Sequence, residues 1–512
     1  MGNSLLQALQ HELEEVFQEH SIAVWYDLGG TLSALVEKAV PQNVHLLRFE
    51  RAYLPLRVKL EETDPFLEKR WLIYIPAESR KPSWLRDYEL AGRRLDLTLA
   101  DLLSRAFDIP VNRRMREILS TPAAKRLVER WENLLGSTLP ITFRQVKYAL
   151  LAAALDATST APRDLILSYV TREDAHVSLR ENGLLPEFRR FLDDQGFVVA
   201  SAHLPLFPGD VSPLKVAAAL LFSEAVVNGR LNTAGLEDVL PREENRSQWA
   251  SWAMEWLRHR DDEILPQMVR EVQEAYQIEE RLSGLDIAGI QGFPAVDEVL
   301  VRELEALLKT GLSPEILDEV ERIAKLRANT RWARESADMT APLPWKASLA
   351  AVEILKAVPD VSKKLSQKGQ WSLKDLFDQY AEGWWHLDDA YRRLEAYWDS
   401  LGVLEEPLGL PAARAYEEFL NVLARKVATA LENTHSWQIP DWLPQSRVLE
   451  DEVIPQAEET ALLLADGLRY DLAIALARRL RENGIEVEER RTLASLPSIG
   501  ILVEQGAHPF ER

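Results

Sequence analysis

One carboxylate in this sequence stands where it could do chemistry. Asp466 follows the apolar run Ala461 to Ala465 and precedes a segment with helical periodicity. At such a turn an aspartate can be a hard oxygen ligand for a divalent cation, the first of several that would polarise a phosphoryl oxygen. It can also cap the next helix by accepting a hydrogen bond from the backbone N–H of Leu468 or Arg469. Spacing alone favours the cap and leaves the metal ligand open.

The segment around Asp466 predicts a strand, a helix and a second strand. The apolar run before it is too short for a helix and is typical of a strand buried on both faces. A leucine at every fourth position from 472 to 480 then follows the helical period, and Asn483-Gly484 supplies a left-handed stop. Apolar residues alternate with glutamates over 485–488. A parallel crossover of this length places Asp466 at the carboxyl end of its strand, where open parallel sheets bind ligands.

The same segment resembles a known domain. LLLADGLRYDLAIALARRL, from Leu462, followed by LASLPS, is similar to the opening of the PglZ domain, a branch of the alkaline phosphatase superfamily found in BREX bacteriophage-exclusion systems. The resemblance implies that Asp466 is a metal ligand, that the complete domain holds a divalent metal such as Zn²⁺, and that the partners are other BREX defence proteins. In the family pattern, Leu-Pro-Ser-x leads to a threonine that is nucleophile and metal ligand, and this chain has Gly500 there.

Gly500 has no oxygen with which to attack phosphorus or bind a metal, so no catalytic residue is assigned. Ser498 would point the same way from an extended segment but would lie about 6–7 Å away along the chain. The family supplies further Asp and His ligands from later in its domain, whereas this sequence offers only Asp471 and His508. We therefore expect an incomplete site, no stably bound metal and no activity from this chain alone.

The tail GILVEQGAHPFER also departs from the family pattern. A frame change, an experimental truncation or a natural truncation near the start of the PglZ domain would each account for an incomplete domain over residues 460–512.

The first 110 residues predict a small parallel α/β domain. Strands are expected at Ile22 to Tyr26, Val44 to Phe49 and Trp71 to Ile75, with a helix over Leu5 to Phe17 before them. Trp25-Tyr26-Asp27 and WLIYIP, from Trp71, resemble the N-terminal region of PglZ proteins and occur in the same order upstream of Asp466.

Asp27-Leu28-Gly29-Gly30-Thr31 matches the phosphate loop of sugar kinases and actin-like ATPases, which makes nucleotide binding a remote alternative. Those proteins continue the loop into a second strand of a hairpin. Here the following residues, 32–39, have helical periodicity. The pattern favours a strand-to-helix turn with Thr31 as the N-cap, although an anion at that helix N-terminus is conceivable.

Residues 111–440 predict a large, irregular helical body, and residues 441–459 predict a linker because three prolines fall between Trp437 and Pro455. Within the body, Trp384-Trp385-His386 is followed by Asp388 and Asp389 at helical spacing. This pattern could line a ligand pocket. It is more typical of tryptophans that anchor a helix while the histidine and aspartates face water or cap neighbouring elements.

Composition limits the function classes. A net charge of −21 argues against bulk nucleic-acid binding, and the absence of cysteine fits a reducing cytoplasm. The apolar runs Tyr148 to Leu155 and Val216 to Phe222 are far shorter than the roughly 18 residues that span a bilayer, so they predict buried helix segments and no membrane partner.

The expected fold class is α/β plus all-α: a small parallel domain at 1–110, the helical body, the linker and the first strand–helix–strand unit of an alkaline-phosphatase-like domain. Two functions remain open. One is a scaffold component of a BREX defence system, and the other is an active metal-dependent phosphoric-ester hydrolase.

Overall fold

The computed structural model describes residues 4–78, 83–136, 140–197, 211–259, 263–334, 344–434, 439–456, 463, 465 and 468–493, and the structural statements below concern these residues. The structure is 67% helical, with one small parallel sheet, so the predicted mixture of an α/β part and a helical body is confirmed. The chain divides into two compact units: Met1–Leu282 with Ile290–Phe293, and Ser283–Gly289 with Pro294–Arg512. The finer domain boundaries stay predictions.

The first unit contains sixteen described α-helices. In chain order they are α1 (Leu5–Glu19), α2 (Val36–Ala39), α3 (Tyr53–Thr63), α4 (Arg86–Ala91), α5 (Leu99–Ala106), α6 (Arg113–Ile118), α7 (Pro122–Glu129), α8 (Trp131–Leu135), α9 (Phe143–Leu155), α10 (Pro162–Thr171), α11 (Ala175–Glu181), α12 (Leu185–Asp194), α13 (Pro213–Asn228), α14 (Glu243–Arg258), α15 (Ile264–Ala275) and α16 (Ile278–Arg281).

Four parallel strands form the sheet of this unit: β1 (Ile22–Tyr26), β2 (Val44–Arg48), β3 (Arg70–Ile75) and β4 (Arg93–Leu95). Their spatial order is β2-β3-β1-β4, and the register pairs Val24 with Ile73 and Leu47 with Ile73. Strand β1, one of the two inner strands, is buried along its whole length, as its continuous apolar sequence requires. The predicted strands are confirmed to within one residue. β4 was not predicted, because its short sequence Arg-Arg-Leu lacks the apolar signal.

Two helices of this unit, α9 and α13, are apolar on nearly every side over part of their length. Residues 149–155 of α9 and 216–225 of α13 are buried, since a helix without a polar face must be surrounded by protein. The prediction that these runs are buried helix segments is confirmed. Among the described helices, none combines the length and apolarity that crossing a bilayer requires.

The second unit is built from eight described α-helices and two short strands. They are α17 (Ala295–Leu308), α18 (Pro314–Arg327), α19 (Arg331–Arg334), α20 (Trp345–Gln367), α21 (Leu373–Gln379), α22 (Trp385–Ala396), α23 (Leu410–Glu432), β5 (Leu443–Pro444), α24 (Tyr470–Glu482) and β6 (Thr492–Leu493). A π-helical turn at Tyr380–Trp384 joins α21 to α22. The long helix α20 packs against α18, α22 and α23 and forms the centre of the unit.

A fully buried ion pair joins three of these helices. Arg327 on α18 donates from Nε and Nη2 to the two carboxylate oxygens of Asp297 on α17, at 2.7 and 2.6 Å. The indole N–H of Trp345 on α20 donates to the same carboxylate at 2.8 Å. All three side chains are excluded from water. A bidentate pair of this kind fixes the relative orientation of the helices, because its two parallel hydrogen bonds form in only one geometry.

We predict that Asp297→Ala lowers the free energy of unfolding by about 3–5 kcal/mol, because it removes a bidentate carboxylate partner from the fully buried Arg327 guanidinium and the acceptor of the Trp345 indole. Asp318→Ala is the matched control. Asp318 is 72% exposed in its pair with Lys356, so its loss should cost within about 1 kcal/mol. Urea unfolding followed by circular dichroism measures both. Equal effects of the two substitutions would contradict the assigned role of Asp297.

Candidate functional site

The residues that the PglZ resemblance singles out are only partly described by the structure. Asp466, Ser498, Gly500 and His508 lie outside the described residues, so their assignments stay predictions. The helix that follows Asp466 is confirmed as α24. It ends at Asn483-Gly484 as predicted, with Gly484 in the left-handed region at φ 80° and the N–H of Ile485 bonded to the carbonyl of Leu480 at 3.0 Å.

The predicted strands on either side of α24 are wrong at their described positions. Leu463 and Ala465 have no regular structure, and Leu463 is 91% exposed, so neither is part of a strand buried on both faces. Residues 485–491 are not a strand either. The strand β6 begins later, at Thr492, where it pairs in parallel with β5 from the segment predicted to be a linker. The apolar pattern of the sequence alone could not predict that β6 pairs with β5 in place of the strand expected before α24.

Asp471, in the first turn of α24, lies at the centre of a charged network. Its carboxylate is fully buried. One oxygen accepts from Nε of Arg469 at 3.1 Å, and the other accepts from Nε of Arg392 on α22 at 3.2 Å. Both oxygens are therefore engaged by guanidinium groups, which neutralise the buried charge and repel an incoming cation. In this arrangement Asp471 is an anchor for α24 and not a metal ligand.

The network continues from α22 to α20 by alternating charges. Arg392 also pairs with Asp389 on its own helix. Asp389 accepts from Nε of Arg393 at 2.9 Å, and Arg393 reaches Glu353 on α20 at 2.6 Å. This chain of contacts connects α24 to the central helix of the unit through two arginines and three carboxylates.

Next to this network, Asp388 accepts hydrogen bonds from two tyrosines. The hydroxyl of Tyr416 on α23 donates at 2.7 Å, and that of Tyr380, in the π-helical turn, donates to the other oxygen. Burial, reinforced by the Asp388 carboxylate, raises the pKa of both tyrosines above the usual value. They remain protonated donors at neutral pH. Tyr470, beside Asp471, donates to the carbonyl of Ala381 at 3.3 Å and adds a neutral contact between α24 and the same turn.

The aromatic group before these aspartates behaves as predicted. Trp384 and Trp385 are buried and hold α22 in place, and His386 is exposed, with its ring stacked on Trp385 at 3.7 Å between ring centroids. The aspartates were expected to face water or cap neighbouring elements, and the structure shows them bound to tyrosine and arginine side chains. Sequence reasoning missed the pair Arg392–Asp471. The spacing Asp388, Asp389, Arg392 was a signal for local pairing but not for a partner 79 residues away.

Within the ranges that the structure describes, no three His, Asp or Glu side chains are grouped so that they could hold a metal ion. The metal site predicted at Asp466 lies outside these ranges, so its ligands stay a prediction.

The second candidate site, the turn Asp27 to Thr31 in the first unit, is organised by its own aspartate. The Asp27 carboxylate is fully buried and accepts from the Tyr74 hydroxyl at 2.6 Å, the N–H of Leu32 at 2.9 Å and the Thr31 hydroxyl at 3.2 Å. The prediction that Thr31 caps a helix is wrong. The next helix, α2, begins at Val36, and the Thr31 hydroxyl donates to Asp27 instead of accepting a backbone N–H.

The glycines of this turn allow close approach by protein. Gly29 has φ 78°, and a Cβ there would lie 2.5 Å from the carbonyl oxygen of Ser120. Because Gly29 has no side chain, its backbone can pack closely against Ser120, in the segment between α6 and α7. This geometry accounts for the glycine without a phosphate.

Comparisons with protein-family models, with curated proteins and with solved structures find no match to this chain. The PglZ resemblance therefore rests on the quoted sequence motifs.

We predict that Arg392→Met loosens α24. Asp471 would then depend on Arg469, whose side chain is more exposed, and the helix should lose about 1–3 kcal/mol of local stability. Hydrogen exchange read by mass spectrometry should show residues 470–482 exchanging roughly 10–100-fold faster. Arg479→Met, on an exposed position of the same helix, is the control and should leave exchange unchanged. Unchanged protection in Arg392→Met would exclude the anchor.

We predict a pH-dependent effect at Asp27. Burial raises the pKa of this carboxyl above its usual value, and the hydrogen bonds from Tyr74, Leu32 and Thr31 only partly offset it. The folded state therefore binds the Asp27 proton more tightly than the unfolded state does. The stability that comes from this difference is fully present below the unfolded pKa and is lost as pH rises through the folded pKa. Asp27→Asn keeps an oxygen for Tyr74 and Leu32 but does not titrate.

Urea midpoints measured from pH 4 to 8 should therefore show Asp27→Asn gaining stability relative to the wild type as pH rises, until the folded pKa is passed. Asp27→Ala, which removes the carboxylate that accepts from the Tyr74 hydroxyl and the N–H of Leu32, should be destabilised at every pH. A constant difference between wild type and Asp27→Asn would contradict the raised pKa.

Proposed function

We propose that this chain is an architectural component of a PglZ-related, BREX-type phage-defence assembly, in which the described residues of the ADGLRYD motif hold α24 on the helical body. The observation that carries the proposal is the Asp471 carboxylate, buried with each oxygen bound to an arginine. A group committed in this way positions a segment and is poorly placed for acid–base or metal chemistry. The absence of cysteine supports a cytoplasmic location.

A second candidate is a metal-dependent phosphoric-ester hydrolase with Asp466 as a ligand. One observation favours it: α24 begins at Tyr470, four residues after Asp466, so a helix follows the aspartate closely, as the motif predicts. Under this alternative, the anchored Asp471 would hold the Asp466 segment in place for a metal. Nucleotide binding through the Asp27 turn is less favoured, because Asp27 and Thr31 bond to each other and Gly29 meets Ser120.

Two measurements on the 512-residue chain separate the first two functions. With added Zn²⁺ or Mn²⁺, we expect p-nitrophenyl phosphate and bis-p-nitrophenyl phosphate to be hydrolysed no faster by the wild type than by Asp466→Ala. When the chain is co-expressed with the other proteins of a BREX system, we expect wild type and Asp466→Ala to co-purify with a defence protein to the same extent.

Metal-dependent turnover that Asp466→Ala abolishes would replace the architectural role by the hydrolase. Failure to co-purify with any of the defence proteins would refute the architectural role directly.

A further inference from the structure

The first unit carries a cleft that neither proposed function uses. It lies at the C-terminal end of α3 and has a volume of about 330 Å³. Its walls come from α3, from the connection between α3 and β3, and from α4: Leu60, Glu61, Asp64, Pro65, Leu67 and Tyr88. We call it the α3 cleft.

An exposed aromatic ring stands at the rim of the α3 cleft. Phe66 is 83% exposed, although its chain neighbours Pro65 and Leu67 both line the cleft. Leu67 adopts φ 52°, in the left-handed region that a bulky side chain disfavours. Because the Phe66 side chain is exposed, it contributes little burial of apolar surface to the stability of the unit itself.

The loop that presents Phe66 is fixed by hydrogen bonds. The buried Asp64 carboxylate accepts from the N–H groups of Glu68 and Lys69 at 2.9 and 2.8 Å, and from the indole N–H of Trp71 at 2.9 Å. Trp71 belongs to β3, so the loop is fastened to the sheet. The backbone next to Phe66 is therefore ordered before any partner binds, which lowers the entropy cost of binding.

Further apolar side chains extend this surface along α3. Val58 lies one turn before Glu61 and is 42% exposed, and Leu54 lies one turn before Val58 and is 69% exposed. Leucine and valine at this spacing form an exposed apolar row that leads to the cleft. Surfaces of this kind, with an aromatic anchor beside a pocket, are characteristic of protein–protein interfaces.

The charge of the cleft indicates the chemistry of the partner. Glu61 and Asp64 both line the cleft, and the exposed carboxylate is that of Glu61, because Asp64 is buried and bound to Glu68, Lys69 and Trp71. Arg57 lies nearby and is held mainly by other groups: it donates to Asp87 at 2.6 Å and to the carbonyl of Trp84 at 3.1 Å, and its ion pair with Glu61 is longer, at 3.6 Å. The Glu61 side chain is 60% exposed. Among the described residues, the Tyr88 hydroxyl donates to it at 3.4 Å, and Arg57 lies at the longer distance given above.

We propose that the α3 cleft binds a segment of a protein partner that carries an arginine or lysine next to an apolar residue. The methylene stem of the basic side chain packs on Phe66 and Leu67, and its charged end pairs with Glu61. The adjacent apolar residue lies along Val58 and Leu54. This inference does not depend on the PglZ resemblance or on the proposed function.

The test uses a fluorescein-labelled peptide, Gly-Leu-Arg-Leu-Gly, titrated with the full chain and followed by fluorescence anisotropy. We expect saturable binding that Glu61→Gln weakens by about tenfold or more, as loss of a charge-assisted contact implies. Phe66→Ser should weaken binding as well, and its high exposure keeps the fold intact. Glu62→Gln, the next residue on an exposed position of α3, is the matched control and should leave binding unchanged.

A second peptide replaces arginine by citrulline, which has nearly the same shape but no charge, and should bind much more weakly. Equal binding of the two peptides, no binding of the arginine peptide, or no effect of Glu61→Gln would overturn the proposal. So would concentration-dependent dimerisation of the chain that Phe66→Ser abolishes, because the occupant would then be a second copy.

Discussion

Charge removed from water must be compensated by nearby protein groups, and this requirement governs both units of the molecule. Among the described residues, Asp27, Glu224, Asp297 and Asp471 are carboxylates with no exposure to solvent. An isolated ionised carboxylate in such surroundings would cost far more than a folded chain can offset. Each of the four lies where several elements meet. The contacts that compensate the buried carboxylate therefore also fix the positions of those elements.

The four buried carboxylates are compensated by different partners. Asp297 uses a bidentate arginine, and Asp471 divides its two oxygens between two arginines. Glu224 on α13 accepts from the backbone N–H groups of Gln291 and Gly292, both at 2.9 Å, and so fixes a loop to a helix. Burial raises the pKa of Asp27, and its hydrogen-bond donors, all of them uncharged, offset this rise only in part.

Local sequence patterns predicted the elements well where the pattern itself determines the structure. The buried strand β1 is read directly from its apolar run, and the end of α24 follows from Asn483-Gly484, because a left-handed residue must close the helix. Thr31 was misassigned since its hydroxyl has two options, a helix N–H or the Asp27 carboxylate, and only the fold decides between them. The strand expected at Leu463 failed for a related reason, as apolar character does not guarantee a neighbour that covers it. The pairing of Asp471 with Arg392 joins distant parts of the chain and leaves no periodic signal.

The π-helical turn Tyr380–Trp384 has a consequence for the register of everything that follows it. Such a turn accommodates one more residue than an α-helical turn, and each residue in an α-helix advances the side chains by about 100°. Without that extra residue, Asp388 and Arg392 would point about a quarter-turn away from Tyr416 and Asp471. The alignment of α22 with two other helices thus depends on a single-residue insertion, so a deletion in this short stretch would disturb the network more than most substitutions within it.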